Sequence, residues 1–234
     1  MSQVFCKLLD SPISKIDRRV FSLLEEYLIS SGQGADKDEF AVIRDRLKCP
    51  PILSPEEFVE EVIYVILASG FRQKVAKAKF AEIMEFIHCH GDADVVADNL
   101  LPMFGNVQKI NAICRVWHDR KKYCGEFYAI PEADIDARLD YLETLPFIGR
   151  ITRNHIARNL GINKVKYDIW IQRLGIALCG KGTETVSSPV SDVVCYACNK
   201  MFSEISNATN LPIGYIDVVL WKACQIGLLI IPHQ

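Results

Sequence analysis

Apolar positions recur three and four residues apart along nearly the whole chain, the spacing that lines one face of a helix. Between Ile13 and Ser30 they fall at Ile16, Val20, Phe21, Leu23, Leu24, Tyr27 and Leu28. The polar segment SSGQGAD (Ser30 to Asp36) predicts a loop, and Asp38 to Leu47 a short helix stopped by the Pro50-Pro51 pair. Ser54-Pro55-Glu56-Glu57 has the order of a helix start: a capping hydroxyl, a proline at the first helical position and acids in the first turn. The run it opens, FVEEVIYVILASG, is apolar enough for a buried central helix and ends at Gly70. Further helices are predicted over Lys74 to His88, Asp92 to Leu100, Val107 to Arg120, Pro131 to Leu145, Arg150 to Leu160, Ile169 to Leu178, Val190 to Ile205 and Ile213 to Leu229. No stretch shows convincing strand alternation and there is no internal repeat, so the expected fold class is all-α.

One stretch, Leu142 to Arg173, organises the rest. Leu142 and Leu145 end an apolar-periodic helix, Pro146 cannot extend it, and Gly149 permits a sharp turn. The next helix carries Ile151, Ile156, Ala157 and Leu160, and Gly161 stops it. A tight hairpin with the amides of Gly149 to Thr152 at a helix start suits a phosphate, because those amides lack intrahelical partners and the helix dipole favours an anion. Between Leu145 and Arg173 stand six basic residues (Arg150, Arg153, Arg158, Lys164, Lys166, Arg173) and one acid, Asp168. Asp168 lies where a helix begins, so it fits a helix cap. Its spacing from the hairpin opens a second reading.

Composition changes this picture little. The 234 residues are half hydrophobic and 24% charged, a globular balance with enough chain for a sizeable core. No apolar run is long enough for a membrane span, and MSQVFCKLLDSPISK lacks the features of a secretory signal. Nine scattered cysteines fit free thiols in a reducing compartment, so a cytoplasmic or nucleoid-associated protein is expected, with a phage origin open. The net charge of −2 is unevenly spread. Ser69–Lys79, Asn106–Lys122 and Leu145–Arg173 carry +4, +4 and +5, which leaves −15 for the remainder. A basic face opposite an acidic one would place phosphate on the first.

LPFIGRITRNHIARNLGI followed by YDIWIQRLG resembles the signature of the helix-hairpin-helix DNA glycosylase superfamily, the endonuclease III-like proteins. Leu145, Pro146, Ile148 and Gly149 match its LPGVG-type hairpin, Phe147 stands where the family usually has glycine, and Asp168 matches its aspartate. The position of the Schiff-base lysine, two past Gly149, holds Ile151, so the resemblance implies the monofunctional branch. It extends from about Phe58 to Cys224. EEVIYVILASGFRQKVAKAKFAEIM is similar to the first barrel helix and the loop that wedges into the duplex. Gly70 replaces a frequent glutamine there, which leaves Phe71, Arg72 and Gln73 for the wedge. MFGNVQKINAI is similar to a loop that fills the gap left by an extruded base, with Asn106 and Lys109 as its polar residues; YIDVVLWKAC is similar to a late packing helix.

The resemblance implies a two-lobed helical fold: a barrel lobe with the hairpin over residues 58–161, and a second lobe from 1–57 plus 162–234, with Asp168 at the floor of the cleft. It implies a DNA base N-glycosylase of excision repair, acting as a monomer on double-stranded DNA. Asp168 would be catalytic. Phe147, Ile148, Gly149, Arg150, Thr152, Arg153, Phe71, Arg72, Gln73, Asn106, Lys109, Lys164 and Lys166 would bind DNA, and Tyr167 would face the base. No cofactor is required; a monovalent cation on the backbone carbonyls of Glu143, Leu145 and Ile148 is implied. Cleaving an N-glycosidic bond builds positive charge on the sugar, and a carboxylate can stabilise it and position water. The base must first leave the stack.

Other features have plainer readings. Cys195-x-x-Cys198, with Cys179 and Cys224 far off, lacks the spacing of an iron–sulfur cluster, and core thiols are expected. His88-Cys89-His90 ends a helix and has no companion ligands. Trp117, Trp170 and Trp221 are expected in the core. Two other functions stay open on the departures at Gly70, Phe147 and Ile151: the same fold modifying a flipped thymine-type base in phage DNA hypermodification, or a non-catalytic DNA-binding module in which Asp168 is only a cap.

Overall fold

Residues 4–32, 37–179, 185–187 and 189–231 are described in this computed structural model. In chain order the elements are β1 (Val4–Cys6), β2 (Ser11–Ile13), α1 (Arg18–Ser31), α2 (Lys37–Lys48), α3 (Pro55–Ala68), α4 (Gln73–Cys89), a single 3-10 turn (Asp92–Asp94), α5 (Ala97–Phe104), α6 (Val107–His118), α7 (Arg120–Ala129), α8 (Ile135–Glu143), α9 (Arg150–Asn159), α10 (Ile169–Cys179), α11 (Asp192–Thr209), α12 (Ile213–Gln225) and β3 (Leu229–Ile230). The fold is helical, as the periodicity requires, with one small sheet. The chain divides into two units, Pro51–Leu160 and Met1–Pro50 with Gly161–Gln234.

In the unit Pro51–Leu160, Ser54 caps α3. Its hydroxyl accepts from Glu57 N–H (3.2 Å) while Glu57 Oε2 accepts from Ser54 N–H (2.8 Å), so two orphan amides are satisfied reciprocally. The helix then buries Phe58, Val59, Val62, Ile63, Val65, Ile66 and Leu67, and α4, α6, α7 and α9 pack around it. Glu57, Glu60, Glu61 and Tyr64 keep one less buried face of the helix, and the neighbours cover its broad apolar side. In the other unit the same role falls to α12, which packs against α1, α2, α10, α11 and β3. The buried Tyr215 hydroxyl donates to Glu25 Oε1 at 2.7 Å. Gly161, with φ at +88°, takes the chain out of α9 in the left-handed region, and a Cβ there would lie 2.7 Å from the Pro50 Cβ and 2.8 Å from the Arg46 carbonyl oxygen.

Four expectations are corrected. Residues 13–17 are not helical: Ser11–Ile13 pair with β1 in a sheet of order β2-β1-β3, and Asp17 caps α1 by accepting from Val20 N–H at 3.0 Å. The last helix ends at Gln225 rather than Leu229. Gly227 turns the chain at φ +71°, and Leu229 and Ile230 pair with Cys6 and Phe5. Strands of two and three residues are too short to show alternation. Arg120–Ala129 forms a helix, α7, in a stretch whose apolar positions are sparse; it buries Tyr123, Cys124 and Phe127. The helix expected over Asp92–Leu100 is a 3-10 turn followed by α5. The loop expected at Ser30–Asp36 lies partly outside the described residues.

Candidate nucleic-acid interface and catalytic carboxylate

The hairpin is built from α8, the turn Thr144–Gly149 and α9. Leu145 and Ile148, 2% and 7% exposed, anchor the turn in the core, and Ile148 N–H donates to Leu145 C=O at 3.1 Å. Phe147 stands out between them with φ +67°, the left-handed region that an aromatic residue rarely adopts. Gly149 N–H donates to Thr152 Oγ1 (2.8 Å), and that hydroxyl donates to Gly149 C=O (3.0 Å). Three amides remain at the helix start, those of Arg150, Ile151 and Thr152, which have no intrahelical acceptor.

Arg150 is exposed. Arg153 is not a free cation: its guanidinium lies 2.8 Å from Asp140 Oδ1 and 2.7 Å from Glu143 Oε2, and so clamps α8 to α9. The same holds for other members of the basic segments. Arg120 pairs with Glu56 and Asp92, each at 2.8 Å, and its guanidinium holds both carboxyls below their usual range. Arg158 is buried. The basic residues left exposed on this unit include Arg72, Lys74, Lys121, Lys122 and Arg150.

Lys109 is buried, at 3% exposure. Asn106, instead of facing outward, caps α6 by accepting from Lys109 N–H at 3.1 Å. The Lys109 ammonium donates to the carbonyls of Ser69 and Leu67, where α3 ends. It lies 4.6 Å from the ring centroid of Phe71, 5.4 Å from Phe147 and 5.7 Å from Phe104. Burial pushes its pKa down to about 8. Phe71 also packs on Phe104 at 5.1 Å. Arg72 precedes α4 and Gln73 begins it. The expected wedge and the hairpin tip thus converge on one cation within this unit.

On the other unit, Asp168 opens α10. Its Oδ1 accepts from Trp170 N–H (3.0 Å) and Ile171 N–H (3.3 Å), and its Oδ2 lies 3.6 Å from Lys166 Nζ. The loop before it is fixed from several sides. Asn163 Oδ1 accepts from Gly214 N–H at 2.9 Å, and Asp217 Oδ2 accepts from Lys166 N–H at 3.0 Å. Lys164, half-buried, donates its N–H to Ile162 C=O at 2.8 Å. The Tyr167 hydroxyl donates to Asn199 Oδ1, burial raises its pKa, and Gln172 Nε2 donates to Tyr167 C=O at 3.0 Å. In the sequence Asp217 stands only as part of the packing segment YIDVVLWKAC. Its signal is a lone carboxylate in the apolar run YIDVVLW, which a buried segment retains only with a partner. A shallow depression of about 530 Å³ along α1, lined by Asp17, Arg18, Arg19, Ser22, Leu23 and Glu26, holds none of these groups. No group of three His, Cys, Asp or Glu side chains suited to a metal occurs among the described residues. No helix among them is long and apolar enough to cross a membrane.

Apart from one small sheet the described elements are helical, with a proline–glycine hairpin before α9 and an aspartate-capped α10. No protein-family model and no curated protein matches the chain. Among solved structures, the 8-oxoguanine glycosylase/lyase of Methanocaldococcus jannaschii, in complex with a 15mer DNA containing 8-oxoguanine, shares the fold. The TM-score is 0.61 over 89% of this chain and 98% of that one, at 17% sequence identity.

Proposed function

We propose that this protein is a monofunctional DNA base N-glycosylase, which turns a damaged or modified base out of double-stranded DNA and hydrolyses its glycosidic bond. The observation that carries this reading is the Asp168 carboxylate, held at the start of α10 by two amides in a chain with the fold of a DNA glycosylase. As the bond from sugar to base breaks, its electron pair leaves with the base and the sugar becomes cationic. A fixed carboxylate beside the sugar stabilises that charge without reorganising, and it accepts a proton from the attacking water. Asp168 divides the work between its oxygens: Oδ1 caps the helix and Oδ2 serves the reaction. In the free protein Oδ2 faces the Lys166 ammonium. A DNA phosphate drawing that ammonium away leaves Oδ2 to the substrate.

The hairpin amides of Arg150 to Thr152, with Arg150 itself, hold a phosphate; Phe71, Arg72 and Gln73 enter the duplex. A monovalent cation on the Glu143, Leu145 and Ile148 carbonyls would add positive charge at that phosphate. In support of that reading, the Leu145 carbonyl keeps a second lone pair beside its bond to Ile148 N–H. With Ile151 at the lysine position, no amine attacks from the first turn of α9.

The test is incubation with duplexes carrying oxidised, deaminated or alkylated bases. Free base with an intact, alkali-labile strand is expected from at least one substrate. A base altered in mass but still attached would favour modification of a flipped base instead. Binding without either product would reduce Asp168 to a cap.

A further inference from the structure

We infer that Phe71 and Phe147, supported by Phe104 on the Lys109 ammonium, form a platform on which an unpaired base of a distorted DNA duplex stacks. The inference rests on the DNA-binding half of the proposed function and not on glycosidic cleavage.

Three observations converge. First, Phe71 and Phe147 come from sequence positions 76 residues apart, yet both rings lie within 5.4 Å of one ammonium and remain 44% and 42% exposed. Phe104, 9% exposed, packs on Phe71 and lies 5.7 Å from the same ammonium. Lys109 cannot drift, because the end of α3 holds it through two carbonyls. Two half-exposed rings on a pinned cation are a rigid surface, and rigidity lowers the entropy cost of stacking.

Second, Phe147 sits at φ +67°. A Cβ in that region crowds the backbone, and glycine would make the same turn without strain. The flanking Leu145 and Ile148 already anchor the turn in the core. The strained ring instead spends much of its surface in solvent, where burial does little to offset the strain. Strain retained on an exposed side chain points to contact with a ligand.

Third, the charges around the rings fit a nucleotide. Arg72 and Lys74 follow Phe71, Arg150 follows Phe147, and all three are exposed. Every base offers a face to an aromatic ring, while its flanking phosphates require cations on either side.

The test uses a duplex with one 2-aminopurine opposite an abasic analogue, and a fully paired control, at fixed salt. Wild-type protein should quench the 2-aminopurine. Phe147→Gly should melt at the same or a higher temperature, because the turn relaxes. It should lose the quench and about tenfold in affinity for the unpaired duplex, while the paired control changes little. Phe71→Leu should weaken the same complex.

Unchanged quench and affinity in both variants would overturn the inference. So would a lower melting temperature with unchanged affinity, which would make the ring a packing element. Concentration-dependent self-association that Phe147→Gly abolishes would make the patch an interface between copies, and would also overturn it. Base release by the wild type, measured alongside, separates the two readings. Release with no effect of the rings refutes the platform alone, and ring effects with no release from any substrate refute the glycosylase alone.

Discussion

Replacing Asp168 by Asn separates the cap from the reagent. The amide oxygen can still accept the Trp170 and Ile171 N–H groups, now at 3.0 and 3.3 Å from Oδ1, and Asn caps helices nearly as well as Asp. What disappears is the negative charge. Its pairing with Lys166, at 3.6 Å with side chains 20% and 14% exposed, is a partly solvated contact. Such a pair contributes up to about 1 kcal/mol, which for a chain of this size moves the melting temperature by about 2–4 °C. The chemical step should suffer far more. Losing one preorganised electrostatic contact costs roughly 3–4 kcal/mol, a factor of about 10²–10³ in rate. Single-turnover base release with enzyme in excess, together with duplex affinity and thermal melting, reads all three quantities. Asp168→Ala gives the contrast: it also loses the cap, a further ~1 kcal/mol, yet should be no slower than the Asn variant by more than a small factor. Full turnover by Asp168→Asn would refute the catalytic assignment. A large drop in its melting temperature would refute the division of labour between the two oxygens.

Arg150→Ala should weaken binding to every duplex about equally and reduce the salt slope by about one. Arg153→Ala should instead act through stability, because its guanidinium bridges Asp140 and Glu143; a loss of about 1 kcal/mol, seen in thermal melting, is expected. Lys109→Met tests the buried ammonium by pH. The folded value of about 8 lies below the ordinary 10.5, so between those limits the unfolded chain binds more protons and wild-type stability rises with pH. The stability of wild type relative to Lys109→Met should therefore increase from pH 8 to 10, and a decrease would refute the sign. Gly161→Ala puts a Cβ 2.7 Å from Pro50 and forces alanine to φ +88°, which should cost at least about 2 kcal/mol in chemical denaturation.

Punctuation made the hairpin legible. Pro146, Gly149 and Gly161 bound α9 within the sequence itself, and Ser54 with Glu57 announces α3 through bonds that span three residues. Local signals of this kind survive any tertiary context. The sheet was not legible, because its register depends on Phe5 meeting Ile230 across almost the whole chain. Helix α7 was hidden for another reason: its apolar residues, Tyr123, Cys124 and Phe127, do not repeat over a second turn. Charge was legible as a count but not as a function. Arg120 counts toward a basic segment and Arg153 reads as a phosphate ligand in one dimension, while in the structure they pair with acids 28 and 64 residues away in the first case and 10 and 13 in the second. Phe147 was visible as a departure from the glycine of the resembling hairpin. Only the backbone shows that it keeps the glycine's conformation.

A cap and a catalytic base are not competing descriptions of Asp168. A carboxylate useful against a transient cation has to be oriented before the substrate arrives, since reorientation during the reaction would consume the stabilisation it offers. The amides at a helix start provide that orientation through one oxygen and leave the other unengaged by backbone. Loop rigidity then decides whether the oriented oxygen stays in place. Lys166 N–H is held by Asp217 on α12, the Tyr167 carbonyl by Gln172 on α10, and the Tyr167 hydroxyl by Asn199 on α11. Three helices of one unit therefore fix the two residues that precede Asp168. A residue that needed only to cap α10 would gain little from those bonds, because an N-cap positions itself through the amides it accepts from. The buried Asp217 carboxylate, accepting from the Lys166 amide, helps hold the loop that carries Asp168, and the proposed hydrolysis would need that loop fixed.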